Sequence, residues 1–320
     1  SSSHGELSPE TVNDLAAVMS NQVFRLYPLT EMFTNGVCHG DLLSLFSFLG
    51  ISAGVFTLFI FLVSLKYKAI CTLLVSKRTL RKYKLTELKG ESVFKALYRK
   101  ELKRYFSSPI YVFNTGFGVI MLVIAAVACV VTDVRKIPEI GTLITQLSPV
   151  LPMAISVLVG TVCTTACAIS LEGKSFWILT TAPVSAATVY YSKIAVNLSV
   201  TVPSIIFSDI LLIIGLRPDP ITAIWMFVIP ILFSVLTAEF GLWLNMRLPN
   251  YEWKNDTQVV KQSMPVLLGM LIPMFAGIAM TALALMNPSP LVPIGTSVLL
   301  IGLTLGINYF IQKTPLVNLQ

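Results

Sequence analysis

Seven long stretches of this chain are almost free of charge, and they limit what it can fold into more than any other feature. They run over residues 42–65, 111–132, 147–170, 189–216, 222–244, 264–286 and 291–311. A bilayer core about 30 Å thick needs about 20 apolar residues of helix to cross it, and each stretch meets that length. The runs are continuous rather than alternating, which excludes the dyad pattern of a membrane barrel. Composition agrees: 55% of residues are hydrophobic and only 12% are charged. A soluble domain carries about a quarter charged residues to wet its surface. The sequence therefore predicts an all-α integral membrane protein with about seven transmembrane helices.

The formal charge of +7 does not point to nucleic acid, because the basic residues are placed for a membrane. Thirteen of the 23 Lys and Arg lie from Lys66 to Arg104, between the first apolar run and the second. A basic cluster beside a span marks a cytoplasmic surface facing anionic lipid. If that stretch is inside, alternation of the spans puts 18 basic residues inside and four outside (Arg25, Arg135, Lys136 and Arg217), with Lys193 at the inner end of a span. The N-terminal segment is then outside and the C-terminus inside. The chain opens SSSHGEL, without Met or a signal sequence, and is read as a processed, truncated or tagged start.

Spacing divides the chain. The expected parts are an extracytoplasmic segment (1–40), a leading transmembrane helix (41–66), a basic cytoplasmic linker (67–92), an amphipathic helix (93–108), a six-helix unit (109–311) and a cytoplasmic tail (312–320).

Metal chemistry finds little to work with. Cys38, Cys71, Cys129, Cys163 and Cys167 have no CxxC spacing, and His4 and His39 are the only histidines. These cysteines read as small packing residues. No histidine lies in a span, so a hydrolase pairing of nucleophile and base inside the membrane is not supported.

Three segments carry more information. VFKALYRKELKRYF, residues 93–106, puts Val93, Phe94, Leu97, Tyr98, Leu102, Tyr105 and Phe106 on one helical face and Lys95, Arg99, Lys100, Lys103 and Arg104 on the other. With four aromatics on the apolar face, it reads as an interfacial helix rather than a merely solvated one. SLEGKSFWILTTAPVS, residues 170–185, contains Gly173-Lys174-Ser175 but has Ala168 where a phosphate-binding loop needs its first glycine. It binds no nucleotide on this reading, so any ATP is handled by another chain. Phe176 and Trp177 beside Pro183 suit either a partner's groove or an aromatic belt at the interface. The third segment is NMRLPNYEWKNDTQVVKQS, residues 245–263.

Taken in order between the spans, these segments resemble ABC-2 type permeases, the membrane halves of ATP-driven exporters. In detail the chain is similar to the long bacterial permeases encoded apart from their ATPase. Residues 97–109 resemble the family's elbow helix, and 170–185 the loop holding its coupling helix. Residues 245–263 resemble the inner loop after its fourth span. The resemblance covers 95–311 and, more weakly, the first span. It implies ATPase coupling through Glu172, Gly173, Lys174, Phe176, Trp177 and Pro183, and a separate ABC ATPase in two copies holding ATP and magnesium. It also implies a second six-helix unit, from upstream sequence or another copy, a bacterial cytoplasmic membrane, and no catalysis or cofactor in this chain.

Two acids, Asp209 and Glu239, lie within spans, each about 9–10 Å from an interface at 1.5 Å per residue. A charge at that depth is costly and marks a candidate substrate path. An ion-coupled secondary transporter using these acids is the rival reading.

Overall fold

The computed structural model describes residues 28–75, 91–132, 148–287, 289 and 291–319, the side chains at 69–75, 318 and 319 apart. Most of the expected N-terminal segment and of the basic linker lies outside the described residues. The described residues are helical, without strands, and seven helices are long and apolar enough to cross a membrane. The fold is all-α, as the apolar runs require. The chain divides into two units, Ser1–Glu87 and Leu88–Gln320.

In the first unit, α1 (Pro28–Cys38) turns into α2 (Leu42–Val75). Asp41 makes the turn: its carboxylate accepts from the Leu43 amide at 3.0 Å and from the Ser44 hydroxyl, satisfying donors at the start of a helix. Gly36 lets α1 approach Leu45, where a Cβ would come within 2.9 Å of the Leu45 Cβ. α2 continues to Val75, so helix reaches into the stretch expected as linker. None of the apolar window of this helix is buried within the unit.

The second unit contains α3 (Val93–Ser107), α4 (Pro109–Val131), α5 (Leu151–Gly160), α6 (Thr165–Ala168), α7 (Trp177–Thr181), α8 (Ala186–Leu216), α9 (Pro220–Arg247), α10 (Asp256–Lys261), α11 (Met264–Met286) and α12 (Leu291–Lys313). Ser108 is extended and Pro109 opens α4, so the chain bends between α3 and the span, as the Ser-Ser-Pro sequence predicts. α8 packs along α4 and α9, α5 sits between α9 and α11, and α12 lies against α9.

The third span departs from the expected continuous helix. After α5 the backbone leaves the helix over Thr161–Thr164, resumes as the single turn of α6, and tightens to a 3-10 turn over Ser170–Ser175. Unwound backbone at membrane depth is tolerated only where protein satisfies it. Here the Thr164 amide donates to Asn197 Oδ1 at 2.9 Å, and Tyr111 OH donates to the Thr164 carbonyl at 2.7 Å. Thr165 Oγ1 donates to the Ala238 carbonyl at 2.7 Å. Neighbouring helices come very close at the break. A Cβ on Gly118 would lie 2.1 Å from the Leu158 carbonyl oxygen, and one on Gly241 would lie 2.0 Å from Cys163 Sγ. This span is 78% buried over its apolar window.

Loops 170–185 and 248–263 gather with α3 and the C-terminal turn Leu316–Leu319 at one end of the second unit, termed the basic end.

Candidate functional site

The site is an ion network at the basic end, built by three segments far apart in sequence. α3 presents Lys100 and Arg104 one turn apart, with Glu101 beside them. Glu172 comes from the 3-10 turn that ends the third span, and Lys193 from the second turn of α8.

The buried ammonium of Lys193 donates to Glu172 Oε1 at 2.8 Å, Glu101 Oε1 at 2.9 Å and the Ala168 carbonyl at 3.0 Å. Glu172 also accepts from Lys100 Nζ at 2.8 Å and from Arg104 at 2.9 Å. Arg104 lies 3.6 Å from Glu101 as well. The Lys193 and Glu172 side chains are 1% and 2% exposed, so these charges stand only because they are paired. Burial works against the charge of Arg104, yet its hydrogen bond to Glu172 and the nearby Glu101 carboxylate raise its pKa.

A second set of bonds fixes the Glu172 turn from behind. Asn245 Oδ1 accepts from the Ile169 amide at 2.8 Å and the Ser170 amide at 3.1 Å, and Asn245 Nδ2 donates to Ser170 Oγ at 2.7 Å. Ser170 Oγ accepts in turn from the Asn250 amide at 2.9 Å, and the Trp253 indole donates to the Ser170 carbonyl at 2.7 Å. Gly173 has φ 55° and ψ −140°, a conformation that favours glycine. Any side chain there would also meet the Trp253 ring, 3.2 Å from an added Cβ. Loop 248–263 therefore acts as a clamp on loop 170–185. Phe176 is buried and stacks on Tyr251 with ring centroids 5.2 Å apart. Burial first, and the Glu172 charge second, push the Tyr251 hydroxyl up to about 12.

Of the expected coupling residues, Glu172, Gly173 and Phe176 are buried, whereas Lys174, Trp177 and Pro183 are exposed. Trp177 and Ile178 are 58% and 52% exposed on the short α7. Beside the network a cavity of about 440 Å³ is lined by Arg104, Tyr111, Glu172, Lys174, Trp253 and Asp256, among others.

The amphipathic helix is only partly as its two-faced pattern suggests. Phe94 and Phe106 are exposed, but Tyr105 is buried and meets Tyr111 edge-on at 5.0 Å. Lys100 and Arg104 turn into the network, and Arg99 pairs with Glu91 at 2.8 Å; Lys103 is exposed. The basic face is thus shared between the protein and the surroundings.

Among the described residues, no hydrogen bond or ion pair joins Asp209 or Glu239 to the network or to each other. Glu239 accepts from Asn308 Nδ2 at 2.7 Å, and Asn308 accepts from Tyr191 OH at 3.0 Å. Asp209 is fully buried on α8, and neither carboxyl oxygen has a hydrogen-bond partner among the described residues.

The sequence reading missed Glu101, Asn197 and Asn245, and did not give Lys193 a partner. One signal was present: a cation within a span requires an acid close by. Among the described residues no cluster of three His, Cys, Asp or Glu could hold a metal ion.

The fold and site define a polytopic α-helical membrane protein with a charged assembly at one end. More narrowly, a family model described as a membrane protein of 12 TMs matches residues 9–309, and the chain belongs to that family. The resemblance to ABC-2 permeases is not repeated in a family match. No curated protein and no solved structure matches the chain.

Proposed function

We propose that this chain is a permease subunit of an ATP-driven exporter of the ABC-2 type, with the basic end cytoplasmic and ATP hydrolysed by a separate subunit. One observation carries the reading. The three segments that resemble the family's elbow helix, coupling loop and second inner loop converge into one assembly around Glu172 and Ser170.

The assembly is suited to moving force rather than to chemistry. Phe176 and Leu179 root loop 170–185 in the protein, while Trp177 and Ile178 project from it. A partner gripping the projecting pair pulls on Glu172 through a few residues of tight turn. Glu172 is tied to α3 through Lys100 and Arg104, and to α8 through Lys193. Displacement of the loop therefore reaches the elbow helix and a long span together. ATP and magnesium belong to the partner, and two permease units, the second from another part of the protein or another copy, complete the pathway.

The test is a photo-crosslinker at position 177 in native membranes, followed by co-purification and ATP turnover of the complex in liposomes. An ATPase subunit captured at 177, whose ATP turnover depends on the permease and responds to Glu172→Gln, supports the reading. Capture of no ATPase, with transport intact in its absence, sinks it.

The ion-coupled reading is favoured by one observation, the unpartnered Asp209 carboxyl in the bundle core. Transport driven by an ion gradient without any ATPase, and lost on neutralising Asp209 and Glu239, distinguishes it.

A further inference from the structure

One face of α8 carries a polar stripe through the bundle. Lys193, Asn197, Thr201 and Ser208 follow at spacings of four, four and seven, and all are at most 2% exposed, as is Asp209 beside Ser208. In the half of the stripe nearer the basic end every residue has a partner, Asn197 through its Oδ1 alone. Lys193 sits in the ion network, Asn197 Oδ1 holds the Thr164 amide, and Thr201 shares a 2.5 Å hydrogen bond with Ser234. The far half is different: Ser208 Oγ and both oxygens of Asp209 have no partner among the described residues.

Apolar side chains close Asp209 off in both directions along the helix. Ile205 lies one turn toward the basic end, and Leu212 and Leu216 lie one and two turns the other way; all three are at most 7% exposed. They belong to a core cluster that includes Leu122 and Ala126 of α4, Met153 of α5, and Met226 and Ile229 of α9. The ionisable groups that these packed elements bring to this half of the bundle reduce, among the described residues, to the Cys129 thiol. Arg217 and Asp219 sit past the end of α8, Arg217 about 12 Å along the axis from Asp209 at 1.5 Å per residue. Glu239 and Lys193 lie toward the basic end.

A carboxylate held there without a counter-charge is strongly disfavoured, and a carboxyl group meets that penalty by taking up a proton. A divalent cation is a poor fit, since calcium takes six to eight oxygens and magnesium an octahedron, while Asp209 and Ser208 supply three. We propose that Asp209 is a proton-binding site: the closed packing of α8 against α4 and α9 holds the carboxyl in its neutral form. Loss of the proton requires water to enter past Leu212 and Leu216, so proton release and separation of these helices are one event. Opening toward the end opposite the basic one is the shorter route, because Asp209 is seven residues from the end of α8. This inference does not rest on the ATP-coupled reading and holds whichever force drives the protein.

The experiment is modification of the full chain in liposomes by dicyclohexylcarbodiimide. This reagent partitions into apolar regions and reacts with the protonated carboxyl. The carboxyl proton passes to a carbodiimide nitrogen, the oxygen adds to the central carbon, and the acyl group then shifts to nitrogen. A stable N-acylurea results, with no atom lost. Peptide mapping of the wild-type chain is expected to find the adduct on Asp209 at neutral pH. Its rate is expected to fall about tenfold per pH unit beyond the midpoint, as titration of one proton requires. Asp209→Asn is expected to abolish that adduct and to leave the rest of the map unchanged. A folded wild-type chain with no adduct on Asp209, or one whose modification does not change with pH, overturns the proposal. Because the deciding measurement is made on the wild-type chain, a variant that fails to fold does not obscure it.

Discussion

The leading helix α2 and the third span are both apolar, and both are long enough to cross a membrane, yet the second unit encloses one and the first leaves the other bare. The apolar window of α2 is wholly unburied within its unit, whereas that of the third span is 78% buried. The difference is not in how many small residues interrupt the apolar ones, since α2 carries Ser44, Ser47, Gly50, Ser52, Gly54, Thr57 and Ser64, but in what those residues meet. α2 carries large side chains all round, with Phe56, Phe59 and Phe61 each more than half exposed, as suits a helix that meets lipid on every side. The third span carries Ser156, Gly160, Thr161, Thr164, Thr165 and Ser170, small or hydroxylated residues that let other backbones approach and that hydrogen-bond across helices. Apolar length therefore tells that a segment crosses the membrane. Whether protein surrounds it depends on whether its small and polar residues meet a neighbouring backbone, as Gly160 and Thr165 do and Gly50 and Gly54 do not.

Glycine substitution tests that contrast with the largest expected effect. Gly118→Val forces a side chain onto the Leu158 carbonyl, 2.1 Å from its Cβ position, whereas Gly54 in α2 has nothing within 4 Å. Overpacking costs about 1–3 kcal/mol where side chains can yield, and here the obstacle is backbone. Gly118→Val is expected to abolish monodisperse protein on size exclusion in detergent, and Gly54→Val to leave elution and melting temperature unchanged. Equal behaviour of the two variants breaks the comparison.

The ion network comes next. Lys193→Met leaves Glu101 and Glu172 facing each other without the ammonium that joins them, and removing one partner of a buried pair costs about 3–5 kcal/mol. Arg99 pairs with Glu91 with its side chain 63% exposed, and exposed pairs contribute about 0–1 kcal/mol. Thermal unfolding followed by a thiol-reactive dye on the buried cysteines is expected to show a large drop for Lys193→Met and almost none for Arg99→Ala. Lys193→Met combined with Glu172→Gln is expected to recover nothing, since Lys100 and Arg104 still pair with Glu172 in the single variant and lose that partner in the double one.

One side-chain amide makes three of the bonds that hold the turn beneath the network. Asn245→Ala strips the acceptor from the Ile169 and Ser170 amides and the donor from Ser170 Oγ. Each buried group left unsatisfied costs about 1–3 kcal/mol. The expected result is faster hydrogen exchange at residues 169–176 with the exchange of α2 unaltered. Uniform loss of protection across the second unit would show that the clamp is not local.

These cases mark where the sequence was legible. The seven spans could be read because water rejects long apolar runs wherever they pack. The bend at Ser108-Pro109 followed from proline at the start of a helix. The break at Thr161–Thr164 could not be read, because Gly-Thr-Val-Cys-Thr-Thr is apolar enough to continue a span. What unwinds it is held in place by Asn197, Tyr111 and Ala238, residues 33 to 73 positions away from their partners in the break. The site was half legible. Glu172 stood out in its loop, but Glu101 looked like one charge among many on α3. Its partner Lys193, 92 positions later, was visible only as a cation in need of an acid.

The smallest expected effect brings the comparison back to helix ends, where both regions use the same device. Asp41 caps α2 through the Leu43 amide, and Asp219 caps α9 through the Thr222 amide at 2.9 Å. Hydrogen bonds from Ser44 and from Thr222 are the leading causes that hold the two carboxyl groups below the usual carboxylate range. A group whose folded pKa is depressed contributes stability above its unfolded pKa, and that contribution is lost as pH falls through the folded value. Acidification below the ordinary aspartate range is thus expected to loosen both helix starts. Loss of a cap costs about 1 kcal/mol, so Asp219→Ala is expected to lower the melting temperature slightly and to flatten its acid dependence. Asp41 is fully exposed to solvent, and its removal is expected to speed amide exchange only in the first turn of α2. Should Asp41→Ala destabilise the second unit instead, the division of the chain into a bare span and an enclosed bundle is wrong at its boundary.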